Sequence, residues 1–89
     1  MTRFRHSPDA LSADVGEDVV ALQAVRGFAF GMEGVSASVW KLLDRARSIS
    51  EIVADLLERF DVDPEECEAD VAELLGQLEA EGLIEKVEA

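Results

Sequence analysis

The hydrophobic periodicity of the chain changes once, at Gly34, and that change limits what it can fold into. Before it the period is two. Leu11, Ala13 and Val15 alternate with Ser12 and Asp14, and Gly16-Glu17-Asp18 reads as a turn. Val19 to Val25 is an apolar run broken only by Gln23. Arg26-Gly27 is the next turn, and Phe28, Phe30 and Met32 set large side chains on one face. Three short strands with tight turns predict an antiparallel meander, which needs a layer to pack against.

After Gly34 the period becomes helical. Val35, Val39, Trp40, Leu42 and Leu43 suit one face of a helix running to about Arg45. Ser48-Ile49-Ser50-Glu51 has the form of a capping box, followed by the stripe Ile49, Ile52, Val53, Leu56, Leu57 and Phe60. Asp63-Pro64-Glu65-Glu66 opens a third helix: Asp63 as cap, proline where no N–H is needed, and two acids at the positive helix end. Its stripe is Cys67, Val71, Leu74, Leu75 and Leu78, and Gly82 ends it. Leu83 to Val87 then reads as an extended tail or short strand. The expected fold is α+β: a three-stranded antiparallel β-meander, then a three-helix bundle of winged-helix type. Residues 1–9 are polar, end in Ser7-Pro8-Asp9 and read as a flexible N-terminal tail ahead of one domain over 10–87.

Charge narrows the function. The net charge is −12, and it is uneven. Residues 1–60 carry seven bases against nine acids, whereas 61–89 carry only Lys86 against eleven. The region 63–82 has neither Lys nor Arg, so phosphate contact there would be repulsive, and a winged-helix DNA binder is the disfavoured alternative. An anionic membrane surface is excluded on the same ground, and no run is long and apolar enough to span a bilayer. The lone Cys67 has no internal disulfide partner, so the chain reads as reduced and cytoplasmic.

Catalytic residues are scarce. The one histidine, His6, falls in the expected tail. Cys67 lies on an apolar stripe with no base beside it, which reads as a small buried hydrophobe rather than a reactive thiol. No residues have metal-ligand or phosphate-loop spacing, so no cofactor or metal is expected, and the chain is read as a binding module and not an enzyme.

The segment from Phe28 to Asp44, with its aromatic strand and Val39-Trp40-Lys41-Leu42-Leu43, resembles the PqqD-like proteins. Ser48-Ile49-Ser50-Glu51-Ile52-Val53, Asp61 to Glu66, and Gly82-Leu83-Ile84 follow in that family's order and spacing, and the likeness runs from about Ala10 to Val87. One departure is Met32-Glu33, where the family has Leu-Asn; Glu33 is the poorer helix cap, which moves the expected helix start toward Gly34 or Ser36.

The resemblance implies a recognition element for ribosomally made, post-translationally modified peptides. Such an element holds a precursor's leader peptide as an added strand on the meander's third strand, against the third helix, and presents it to a modifying enzyme, a leader peptidase or a radical SAM enzyme. Carried onto this chain, the strand side of the site is Arg26, Gly27, Phe28, Ala29, Phe30, Gly31 and Met32; the helix side is Cys67, Asp70, Val71, Leu74 and Leu78. A lasso-peptide or related pathway is the first expectation and the peptide chaperone of pyrroloquinoline quinone biosynthesis the second. A monomer or weak dimer is expected. The flank Glu66, Asp70 and Glu73 adds the expectation that the leader carries Lys or Arg near one end.

Overall fold

A computed structural model describes residues 1–88. The elements follow as β1 (Thr2–His6), β2 (Ala10–Val15), β3 (Asp18–Gln23), β4 (Phe28–Met32), α1 (Gly34–Leu42), α2 (Ile49–Arg59), α3 (Pro64–Ala80) and β5 (Ile84–Glu88). The fold is α+β, with three helices and two sheets.

The meander is a three-stranded sheet in the order β2-β3-β4, so β4 lies at an edge. Burial along β3 alternates strictly, with Val19, Ala21 and Gln23 inside. Opposite them in register stand Met32, Phe30 and Phe28 of β4, which give the sheet its inner face. The helices cover that face, with α1 against β3, α2 packed on both other helices, and β5 returning against α3. Trp40, Leu43, Ile52, Leu56, Leu75, Leu78 and Leu83 are fully enclosed between the layers.

The helix ends follow their local chemistry. The Ser48 hydroxyl accepts from the Glu51 N–H at 3.2 Å, and the Glu51 carboxylate accepts from the Ser48 N–H at 2.9 Å, completing the capping box. Asp63 accepts from the Glu66 N–H at 3.0 Å and caps α3. Glu33 makes no side-chain cap, and α1 begins at Gly34. At the far end of α3, Leu83 N–H reaches Leu78 C=O and Gly82 N–H reaches Glu79 C=O, both at 3.0 Å. This closure needs a residue at positive φ, which Gly82 supplies at 76°.

The expected flexible tail over 1–9 is corrected. Thr2–His6 is a strand, paired antiparallel with Ile84–Glu88 in a second, two-stranded sheet. Phe4 is buried, and its backbone exchanges hydrogen bonds with Arg47 at 2.8 and 2.9 Å. His6 stacks on Trp40 with ring centroids 3.9 Å apart, and its Nε2 lies 2.7 Å from the Trp40 carbonyl oxygen. The tail is ordered because it closes the open side of the core around Trp40 and the α1–α2 link.

Candidate functional site

Two features of the structure face outward, and the chain runs directly from the end of the first into a wall of the second. The first is β4. As an edge strand paired only with β3, it turns the N–H and C=O groups of alternate residues away from the sheet. Ala29 and Gly31 are exposed and small, so nothing bulky screens the edge on the outer face. Phe28 and Phe30 are half-buried against the core and hold the strand down. Met32 is buried and leads through Glu33 into α1. A shallow hollow of about 260 Å³ opens at this end of the sheet, between Val20, Gly31, Met32 and Glu33.

The second feature is a groove of about 500 Å³ between the start of α1, the end of α2 and the first half of α3. Val35, Ser36 and Val39 form one wall, Leu56 and Phe60 the next, and Cys67, Val71 and Leu74 the third. Asp61, Asp63, Glu66 and Asp70 also border it. The groove exists because α3 shares its apolar stripe between two neighbours. Val71, Leu75 and Leu78 are enclosed in the core, while Leu74 is only half-buried.

The residues named from sequence divide accordingly. Phe28 to Met32 form β4 as expected. Cys67, Asp70, Val71 and Leu74 line the groove, whereas Leu78 lies in the core away from it. Arg26 and Gly27 lie in the β3–β4 turn and not in the strand. There Gly27 has φ 74° and its N–H donates to Gln23 C=O at 2.8 Å. Arg26 acts elsewhere: its Nη1 donates to Ala80 C=O at 2.7 Å, a cation at the negative end of α3.

Gln23, passed over in the sequence as a break in an apolar run, is the centre of the same link. It is 3% exposed. Its Nε2 donates to Gly82 C=O at 2.9 Å, and its Oε1 accepts from the N–H groups of Val25 and Arg26 at 2.7 and 2.9 Å. One side chain thus shapes the β3–β4 turn and ties it to the end of α3. The α1 and α2 walls of the groove were also missed. The i, i+4 pair Val35 and Val39 and the large Phe60 at the end of α2 were the available signals.

Cys67 is 6% exposed, and burial with the nearby Asp70 charge pushes its thiol above the ordinary range. It contributes apolar surface to the groove and not a nucleophile. Among the described residues no cluster of His, Cys, Asp and Glu could hold a metal, and no helix is long and apolar enough to cross a membrane. The arrangement suits an extended peptide: a strand edge for its backbone beside a cleft for its side chains.

Comparison with known proteins points the same way. The family model described as coenzyme PQQ synthesis protein D (PqqD) matches residues 18–84. A solved structure described as TbiB1 in complex with the TbiA(beta) leader peptide superposes with a TM-score of 0.86 at 30% identity, over 91% of this chain and 94% of that one. A second, described as lasso peptide synthetase B1 complexed with the leader peptide, superposes with a TM-score of 0.81 at 22% identity, over 92% of this chain and 96% of that one, and is similar in fold. None of the curated proteins matches the chain in sequence.

Proposed function

The chain belongs to the PqqD family, and from that we propose that it is a recognition element that binds the leader segment of a ribosomally made precursor peptide. The observation that carries the reading is the free edge of β4 beside the groove at α3, in a chain 30% identical to a protein solved with a leader peptide. The leader adds to β4 as a fourth strand of the meander. Backbone pairing supplies affinity that tolerates sequence variation, and the groove supplies register and selectivity. The strand contacts are the backbone of Phe28 to Met32, and the groove contacts are Cys67, Asp70, Val71 and Leu74, with Val35 and Phe60.

The work done is holding and not bond-making. A bound leader keeps the rest of the precursor at high effective concentration near a modifying enzyme, such as a leader peptidase or a radical SAM enzyme. The likeness to the TbiB1 complex and the fold shared with lasso peptide synthetase B1 favour a lasso-type pathway over pyrroloquinoline quinone biosynthesis. Amide shift mapping on the ¹⁵N-labelled chain with its cognate leader tests the site. Shifts are expected at 28–32 and at 67–74. Shifts confined to β1 and β5 would overturn it.

A further inference from the structure

The groove between α1, α2 and α3 has an apolar floor and a rim of one sign. Its accessible apolar surface comes from Val35, Phe60 and Leu74, backed by the enclosed Val39, Leu56 and Val71. Its rim carries Asp61, Asp63, Glu66 and Asp70, and no base lines it. Asp63 is committed to capping α3. The other three take part in no ion pair among the described residues, since the pairs present join Arg3 to Glu51, Arg5 to Glu85, Arg59 to Asp55 and Lys86 to Glu79. Three further bases are held by backbone carbonyls, Arg26 by Ala80, Lys41 by Glu17 and Arg47 by Leu42. The α3 N-terminus contributes roughly half a positive charge, which offsets only part of the rim.

The groove is also continuous with the receiving strand. β4 ends at Met32 and α1 starts at Gly34, so Val35 and Ser36 of the groove wall follow the strand end within four residues. A peptide paired along β4 that runs past Met32 passes over this wall.

We propose that the groove reads a two-residue element of the leader: an apolar side chain on its floor and, two positions away on the same strand face, a Lys or Arg among Asp61, Glu66 and Asp70. Same-face positions in an extended peptide lie roughly 7 Å apart, which lets one residue enter the groove while the next reaches its rim. The alkyl stem of the basic residue covers apolar wall while its head stays with the carboxylates and water. The proposal rests on the leader-binding reading and adds the charge of the residue selected.

The test is a selection of random displayed peptides on the unaltered chain and on the variant Asp61→Asn/Glu66→Gln/Asp70→Asn. That variant keeps the Asp63 cap, and its circular dichroism and melting are checked first. Peptides that perturb β4 amides are expected to share an apolar residue and a Lys or Arg two positions apart. A selected peptide should bind the variant about three- to tenfold more weakly, as suits one or two exposed ion pairs. Changing its basic residue to Gln should remove the difference between the two proteins. Raising salt from about 50 to about 500 mM should weaken the wild-type complex by a similar factor and leave the variant's unchanged. Peptides that perturb β4 but show no basic preference, and bind both proteins equally, overturn the proposal and leave the leader-binding reading intact. Selected peptides that leave the β4 amides unmoved count against the leader-binding reading itself.

Discussion

Gln23→Ala is the substitution that most sharply connects the fold to binding. It removes one buried amide and with it three hydrogen bonds, to Gly82 C=O, Val25 N–H and Arg26 N–H. Each is worth about 1 kcal/mol net, and water can partly re-satisfy the two turn amides because Val25 and Arg26 are exposed. The expected loss is therefore about 2 kcal/mol. In a domain of this size that lowers the melting temperature by roughly 8–16 °C. The same side chain ties the turn leading into β4 to the end of α3, so its loss loosens the strand relative to the helix. Re-ordering that junction on binding costs about 1 kcal/mol, which weakens leader affinity roughly fivefold.

Thermal melting followed by calorimetric titration with the leader reads both effects, at a temperature where the variant is fully folded. Gln23→Glu separates the bonds. It keeps both accepted hydrogen bonds but sets a carboxylate oxygen against the Gly82 carbonyl, so at neutral pH it should melt no higher than the alanine variant. If Gln23→Ala melts and binds like the wild type, the link between the turn and α3 does not act as described.

Three further perturbations have defined outcomes. Phe4→Ala should cost about 3–5 kcal/mol in denaturant unfolding, because Phe4 is 7% exposed within the core; a loss under about 0.5 kcal/mol would restore the flexible tail. Ser48→Ala should cost about 1 kcal/mol by breaking the capping box of α2. In the same box the Ser48 N–H, followed by Arg3, holds the Glu51 carboxyl below its ordinary range. A depressed carboxyl stabilises the fold above its unfolded-state pKa and loses that contribution as pH falls through the folded one, so the stability gap between wild type and Glu51→Ala should shrink on acidification through that range.

What could be read from the sequence was local. The meander turns, the Ser48–Glu51 box and the Asp63-Pro64 helix start lie within a few residues of one another, and each carries its own chemistry. The β1–β5 pair could not be read in the same way. Its partners lie at opposite ends of the chain: Arg3 and Arg5 make the first look like solvated tail, while Leu83 to Val87 reads as an extended tail or short strand with no partner nearby in sequence. The cross-strand pair Arg5–Glu85, at 2.8 Å, becomes visible only once the register is known. The groove was half-legible for a related reason. One apolar stripe on α3 serves both the core and the cleft, and only the placement of α1 and α2 separates Leu74 from Leu78. Arg26 and Gly27 stand in a turn as their sequence reads, but the contact of Arg26 with the end of α3 joins residues 54 apart and leaves no local signal.

The central claim is that a leader peptide becomes the fourth strand of the meander. Hydrogen exchange at single-residue resolution over β4, with and without saturating leader, tests it directly. Strand addition protects alternate amides of Phe28–Met32, those turned to the free edge, and leaves the intervening ones, already paired with β3, as they were. Alternating new protection is the predicted result. Uniform protection of the strand, or protection confined to α3 with β4 unchanged, would contradict it.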